Sequence, residues 1–271
     1  MRQFWFVLMM AWTLAATSVA GELNQTLASL AVRIKSGNSA LGSGFYLESG
    51  SGTYLITAKH VLIDSLTGKP KFDSIALVSY TSEPLDTLPI VVQVDLGLSL
   101  STGNMKHHEK KEVVVIRLAI VDTAGRSVTP GVYVPGFFTK SVVPMSRLVM
   151  FDSVVVGREA FVIGYPESLL SNELDFRRPL VRSGIIAGKN HVTKMFFTDC
   201  AVFYGNSGAP VLQTRGRIHE VAGVAIALVM DFVKIIDSAG ATQYYPGNSG
   251  YSVVVPMDFV MELISKWEPT K

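Results

Sequence analysis

The sequence predicts an all-β protein built from two six-stranded antiparallel barrels, with one helix near the C-terminal end. The main observation is a series of short runs of β-branched and aromatic residues separated by Gly, Pro, Asn and Ser, a pattern typical of sandwiches and barrels. These runs fall into two sets of six on either side of a looser middle segment. Apolar residues make up 48% of the 271 residues, which is enough to fill two sizeable cores.

The predicted strands divide the chain into two units and a connector. The first barrel is assigned to residues 21–118, with strands at 28–34, 44–47, 54–57, 74–80, 90–96 and 112–118. Residues 119–147 contain three prolines and no clear period, as expected of a connector. The second barrel is assigned to residues 148–271, with strands at 160–164, 181–187, 195–202, 209–212, 221–230 and 252–255. Apolar residues recur at helical spacing after Pro256, which predicts a C-terminal helix.

Residues 1–20 have the features of a secretory signal peptide. Arg2 precedes a dense apolar run at 4–16, and a small-x-small triplet at 18–20 precedes Gly21. The run is too short to span a membrane comfortably, so we expect cleavage near Gly21, export, and no membrane association afterwards. An uncleaved anchor is the alternative, which the mass of the mature protein would decide.

The cysteine count and the charge indicate what kind of exported protein this is. Cys200 is the single cysteine, which excludes an internal disulfide and favours a bacterial periplasmic or secreted protein. Cys200 lies in a strand-like segment and is interpreted as a buried apolar residue, with a nucleophilic thiol as the weaker alternative. The net charge is +2 and basic residues cluster only at 106–111, so we expect no nucleic acid partner.

The candidate nucleophile is Ser207, within the Gly-Asn-Ser-Gly segment at 205–208. A serine acts as a nucleophile when it projects from a tight turn beside N–H groups that can receive an oxyanion. Gly205 can adopt φ values that are closed to bulkier residues, so its N–H and that of Ser207 can point into one small volume. In isolation, the same segment is also common in ordinary surface turns.

The candidate general base and its acid lie upstream. His60 follows the apolar run at 54–57, so a strand would deliver the imidazole to a short turn. Glu112 begins the run at 112–118 and would orient the imidazole, with Asp95 and Asp122 as rival acids. The adjacent histidines at 107–108 lack a carboxylate pattern suited to a metal site.

The order His, acid, Ser, with the residues around each, resembles the trypsin/chymotrypsin-like serine peptidases and is closest to their disulfide-free bacterial HtrA-like branch. The resemblance covers most of residues 28–265, the protease domain alone, and we expect no PDZ module. The motifs that carry it are Thr-Ala-Lys-His at 57–60, Glu-Val-Val-Val-Ile at 112–116, Gly-Asn-Ser-Gly-Ala-Pro at 205–210, Gly-Ser-Gly-Phe at 42–45, and the segments 156–166, 181–186 and 250–256.

The resemblance implies a chymotrypsin-like double barrel and an endopeptidase that works through an acyl-enzyme. Ser207 would attack the peptide carbonyl, His60 would transfer the proton, Glu112 would orient the ring, and the N–H groups of Gly205 and Ser207 would hold the oxyanion. A substrate pocket that includes Ala201 and Ala225 would prefer apolar or small side chains. The expected partner is a protein or peptide substrate, and no cofactor or metal is implied.

One residue departs from the family's pattern, and one segment repeats the turn of the candidate nucleophile. The family's acid is normally Asp, so the extra methylene of Glu112 adds roughly 1.5 Å of reach that the fold must absorb. This leaves a catalytically weak or inactive peptide-binding protein as an alternative, and an esterase as a third. A second Gly-Asn-Ser-Gly segment at 247–250 is followed by too few residues to complete a barrel, and we interpret it as a loop at the rim of the cleft.

Overall fold

Two curled antiparallel sheets dominate the computed structural model, which describes residues 29–50, 52–80, 88–120, 129–133, 141–169, 175, 177–236 and 242–268. The predicted signal peptide at 1–20 lies outside these residues. Within them, no helix combines the length and the hydropathy that a membrane span requires.

The first sheet contains nine strands in the order β6-β7-β3-β2-β1-β4-β5-β8, with β9 parallel to β2. Their bounds are β1 Ala31–Ser36, β2 Ser39–Ser49, β3 Gly52–Thr57, β4 Ser74–Ser79, β5 Ile90–Asp95, β6 Met105–His107, β7 Val114–Ile120, β8 Val132–Tyr133 and β9 Val143–Pro144. The six longer strands correspond to the six predicted ones. The other three were missed because strands of two or three residues carry no periodic signal.

The second sheet closes into a six-stranded barrel in the order β10-β11-β12-β15-β14-β13, and pairing of β10 with β13 completes the ring. Its strands are β10 Glu159–Gly164, β11 Leu180–Asn190, β12 Met195–Thr198, β13 Pro210–Arg215, β14 Ile218–Ile236 and β15 Thr242–Pro256. All six predicted strands are confirmed. A barrel leaves no open sheet edge along its paired length, which makes it a rigid support for the loops at its ends.

In the described part of the chain, three α-helices accompany the sheets: α1 Lys59–Leu62, α2 Leu96–Ser101 and α3 Met257–Ser265. The predicted C-terminal helix is α3, and the two short helices were missed. Met257, Val260 and Leu263 of α3 are fully buried and pack in a core that also holds Phe45 of β2 and Leu212 of β13. This shared core joins the two sheets, so the cleft between them has fixed walls.

Strands β14 and β15 extend beyond the barrel as one long hairpin. We define the distal hairpin as residues 229–236 and 242–250, which pair in register from Met230 with Asn248 to Ile236 with Thr242. Its apolar side chains are exposed, with Phe232 at 61% and Tyr244 at 63%. The interpretation of 247–250 as a loop is therefore wrong, because these residues lie within β15.

Candidate active site

The His60 side chain is carried by α1, directly after β3. Val61 and Leu62 are buried and anchor this helix in the first core. The Lys71 ammonium donates a hydrogen bond to the carbonyl of His60, which fixes the same residue from the other side. The ring itself is half exposed and faces the cleft.

Glu112 contacts His60 at two points. Its Oε2 lies 3.2 Å from His60 Nδ1 and accepts a second hydrogen bond, also of 3.2 Å, from the His60 backbone N–H. The hydrogen bond from the His60 ring lowers the pKa of Glu112, so the carboxyl is ionised at neutral pH. Because a carboxylate only accepts, Nδ1 must carry the proton and Nε2 keeps its lone pair for a substrate.

The strand after Glu112 starts later than predicted. β7 begins at Val114, so Glu112 lies in the turn before the strand rather than at its first position. Of the rival acids, Asp95 caps α2 by accepting a 2.7 Å hydrogen bond from the N–H of Leu98. Asp122 lies outside the described residues. Glu112 is therefore the acid that the described structure brings to His60.

Ser207 lies in a turn that only glycine can flank. Gly205 and Gly208 have φ values of +95° and +92°. A Cβ at Gly205 would lie 2.2 Å from the carbonyl oxygen of Tyr165, and one at Gly208 would lie 2.1 Å from that of Ser43. Any side chain at these two positions would therefore displace the backbone around Ser207.

Hydrogen bonds to the neighbouring carbonyls set the direction of two N–H groups. The carbonyl of Tyr204 accepts from the N–H of Glu167 at 2.8 Å, and that of Asn206 accepts from the N–H of Ala209 at 2.9 Å. In a trans peptide the N–H points away from the carbonyl that precedes it. The carbonyls of Tyr204 and Asn206 point at these two donors, so the N–H groups of Gly205 and Ser207 point in the opposite direction.

Ser43 ties the first sheet to the turn at Ser207. Its hydroxyl donates to the carbonyl of Gly205 at 2.7 Å and accepts from the N–H of Tyr165 at 2.9 Å. Its N–H donates to the carbonyl of Ser207 at 2.8 Å. Ser43 lies in one of the family motifs, but its role could not be predicted from the sequence, since these partners are more than 120 residues away along the chain.

One cavity of about 490 Å³ is lined by His60, Gly205, Ser207 and Ala225 among the predicted residues. Ala40, Leu41 and His60 line it from the first sheet's side, and Glu167 and Ser207 from the second barrel's side. The remaining lining residues are Val202, Phe203, Tyr204, Gly205, Asn206, Ala225, Ile226, Ala227, Leu228 and Met230. His60 and Ser207 therefore share one cleft between the two sheets.

The lining of the cavity differs from the predicted pocket at one position. Ala225 lines the cavity, whereas Ala201 does not, and the next residue, Val202, takes its place. The walls beyond Ser207 are mostly apolar. Among the described residues that line the cavity, Glu167 is the one acidic side chain, and Arg33 neutralises it through hydrogen bonds of 2.9 and 3.0 Å. The cavity is thus suited to an uncharged side chain.

Cys200 is buried and lies outside the lining of the cavity. Burial raises the pKa of its thiol to about 11, so the thiolate that a nucleophilic cysteine needs is scarce at neutral pH. Among the described residues, no three His, Cys, Asp or Glu side chains are grouped as metal ligands.

Comparisons with known proteins agree with this geometry. The chain's fold is similar to the crystal structure of the serine endoprotease from Yersinia pestis, with a TM-score of 0.53 at 16% identity over 90% of this chain and 65% of the other. It is also similar to the HtrA-type protease AlgW with a decapeptide, with a TM-score of 0.52 at 18% identity over 92% of this chain and 68% of the other. The chain thus spans about two thirds of the length of these proteins.

No curated protein is significantly similar to this chain in sequence. The family of trypsin-like peptidase domains, by contrast, matches residues 42–223, which is more than half of the chain and includes His60, Glu112 and Ser207. The chain therefore belongs to the family of trypsin-like peptidase domains.

Proposed function

We propose that this protein is an exported serine endopeptidase whose reacting groups are Ser207, His60 and Glu112. The observation that carries the proposal is the bonding of Glu112 to His60 Nδ1 at the edge of a cavity that Ser207 also lines. This arrangement leaves Nε2 of His60 as the base for a serine hydroxyl. The apolar N-terminal segment at 1–20 supports export.

The three groups together would transfer the acyl group of the substrate to Ser207. Ser207 Oγ bonds to the peptide carbonyl carbon while its proton passes to His60 Nε2, and the ionised Glu112 stabilises the imidazolium. The N–H groups of Gly205 and Ser207 hold the oxyanion. The C–N bond then breaks, His60 returns the proton to the leaving amine, and an ester to Ser207 remains. Water, deprotonated by His60, hydrolyses that ester and restores the hydroxyl.

The lining of the cavity supports a preference for an apolar or small side chain before the cut. The walls are apolar, and Arg33 neutralises Glu167. A peptide library should therefore yield products that end in uncharged residues. Products ending mainly in Arg or Lys would contradict this part of the proposal.

The test compares the two Gly-Asn-Ser-Gly segments of the same chain. We expect Ser207→Ala to lower peptidase activity by about 10³-fold or more and to abolish labelling by a fluorophosphonate. Ser249→Ala is the matched control, since the Ser249 hydroxyl donates to the carbonyl of Val229 within the hairpin, and it should leave both readouts unchanged.

The outcome also separates the alternatives. Full activity in the Ser207→Ala variant would refute the assignment of the nucleophile. Peptide binding without cleavage or labelling would identify a catalytically silent peptide-binding protein instead. Turnover of esters but not of peptides would identify an esterase.

A further inference from the structure

The turn that leads into Glu112 is built around the ring of His108. Its Nδ1 accepts hydrogen bonds from the backbone N–H groups of Lys110 and Lys111, each 3.0 Å long. The His108 N–H donates to the carbonyl of Val113 at 3.0 Å, and the N–H of Val113 donates back to the carbonyl of Lys111 at 2.9 Å. Glu112 is thus held between two fixed neighbours.

Two other turns of the chain have the same pair of hydrogen bonds, but in both the acceptor is a side-chain oxygen. Asn190 Oδ1 accepts from the N–H groups two and three residues later at 3.0 Å each, and Asp64 Oδ1 does so at 3.0 and 2.8 Å. Asn and Asp are the usual residues for such turns. At His108 the acceptor is an imidazole nitrogen, which loses its lone pair when it is protonated.

The surroundings of His108 connect it to the site. Its carbonyl accepts a 3.1 Å hydrogen bond from Lys59, the residue before His60. Its Nε2 lies 3.4 Å from Glu262 Oε2 on α3, and its ring packs edge-on against Phe259 with centroids 5.2 Å apart. The side chain is 11% exposed, so the ring has little room to change its partners.

Protonation would oppose these contacts. A proton on Nδ1 would point at two backbone N–H donors, which removes both hydrogen bonds and adds repulsion. The charged side chains on the elements around the ring are Glu262, which favours the cation, and Lys59, Lys110 and Lys111, which oppose it; Glu109 is exposed within the turn.

We propose that His108 is a positioning residue that, in its neutral form, fixes the turn presenting Glu112 to His60. When His108 is protonated, the turn opens and Glu112 leaves His60. The catalytic consequence of this role rests on the proposed function. The hydrogen bonding of His108 within the turn does not depend on that function, so the bonding and the catalytic consequence can be tested separately.

Two substitutions separate the role of the acceptor from that of the ring. His108→Leu removes the acceptor, and we expect kcat to fall by about 10- to 100-fold with little change in KM, because the turn does not line the cavity. His108→Asn supplies Oδ1 in the place of Nδ1, as Asn190 does in its own turn, and should restore kcat. His219→Asn is the control, since His219 lies outside the cavity lining, beside Thr214.

The pH profile gives a readout that mere loss of packing would not produce. The native enzyme should lose kcat more steeply toward acid pH than His108→Asn, because only the native turn depends on an imidazole lone pair that a proton can occupy. His108→Asn keeps an acceptor that acid does not remove, so its acid limb should be the shallower of the two. The proposal is overturned if both substitutions impair kcat equally, or if the native and His108→Asn profiles coincide.

A spectroscopic measurement tests the bonding without any turnover. In ¹⁵N-labelled full-length protein at pH 8, the ring shifts of His108 should show a bare Nδ1 and a protonated Nε2. A proton on Nδ1 would overturn the proposal even in an active enzyme. If the Ser207 tests fail while His108 shows the expected tautomer, the proposed function is wrong and the role of His108 in the turn stands.

Discussion

The carboxylate of Glu112 contacts His60 at the ring Nδ1 and at the backbone N–H, and one oxygen makes both contacts. A carboxylate with two donors is held in a narrow range of positions. The extra methylene relative to the family's usual Asp is absorbed because Glu112 lies in the turn before β7, two residues ahead of the strand. The longer side chain thus fits the backbone of this particular turn.

We therefore predict that Glu112→Asp, which restores the family's usual acid, lowers activity. Shortening the side chain withdraws the carboxylate by roughly 1.5 Å, and misplacement of about 1 Å can cost a hundredfold in rate. Steady-state kinetics should show a fall in kcat of about 10- to 100-fold. Glu109→Asp makes the same chemical change at an exposed position of the same turn and should have no effect. Equal or higher activity in Glu112→Asp would show that the position of the acid is not limiting.

The residues of the site differ in how well a sequence can predict them. The sequence could propose His60, Glu112 and Ser207 because each follows or precedes a recognisable strand or lies in a glycine turn. Ser43 received no role, because it acts through bonds to Gly205 and Tyr165, 162 and 122 residues away. Ala201 was placed by family spacing, and the local path of the chain presents Val202 to the cavity instead.

At the scale of elements, β14 and β15 differ most from expectation. The sequence predicted that the strand corresponding to β14 ends at 230 and that the one corresponding to β15 begins at 252, since Gly, Pro and Asn near 246–250 usually mark a turn. In the structure, Pro246 pairs with Phe232 and Gly247 with Asp231, so the hairpin continues through these residues. Proline is tolerated there because it lies on a strand that has no partner on its outer side in the described structure.

We predict that the distal hairpin can be shortened without loss of the fold. Replacing residues 233–245 by Asn-Gly, a favoured two-residue turn, would leave the barrel pairs between β12, β14 and β15 intact. The melting temperature should change by only a few degrees, and removal of exposed apolar residues should improve solubility.

A substitution in the barrel part of the same strand gives the contrast. Val254 is fully buried where β15 pairs with β12, and Val254→Ala should cost about 1–3 kcal/mol in the free energy of unfolding. Failure of the shortened chain to fold, measured by circular dichroism, would mean that the hairpin stabilises the barrel.

At the scale of the whole molecule, the residues after α3 hold the two halves together. We define the strap as residues 266–268. Trp267 donates from its indole N–H to the carbonyl of Gly103 at 2.8 Å. Glu268 accepts from the Tyr54 hydroxyl at 2.7 Å and from the Ser49 hydroxyl at 2.8 Å. The strap follows the second barrel in the chain, yet all these partners belong to the first half.

We predict that Trp267→Ala destabilises the protein by about 1–3 kcal/mol, measured as the free energy of unfolding in urea. The substitution removes the indole bond and the packing of Lys106, 4.4 Å from the ring centroid, and of Tyr54, 5.6 Å from it. Lys266→Ala is the control, because Lys266 is exposed and contributes its backbone carbonyl to Lys106. Equal stability of both variants would show that the strap is not a structural link.

The strap also constrains the order in which contacts of the first half can form. Tyr54 and Ser49 are synthesised more than 200 residues before their partner Glu268. The contacts of Tyr54 and Ser49 with Glu268 can therefore form only once the chain is present as far as residue 268. Contacts this distant in sequence also slow folding, since a long loop must close before they form.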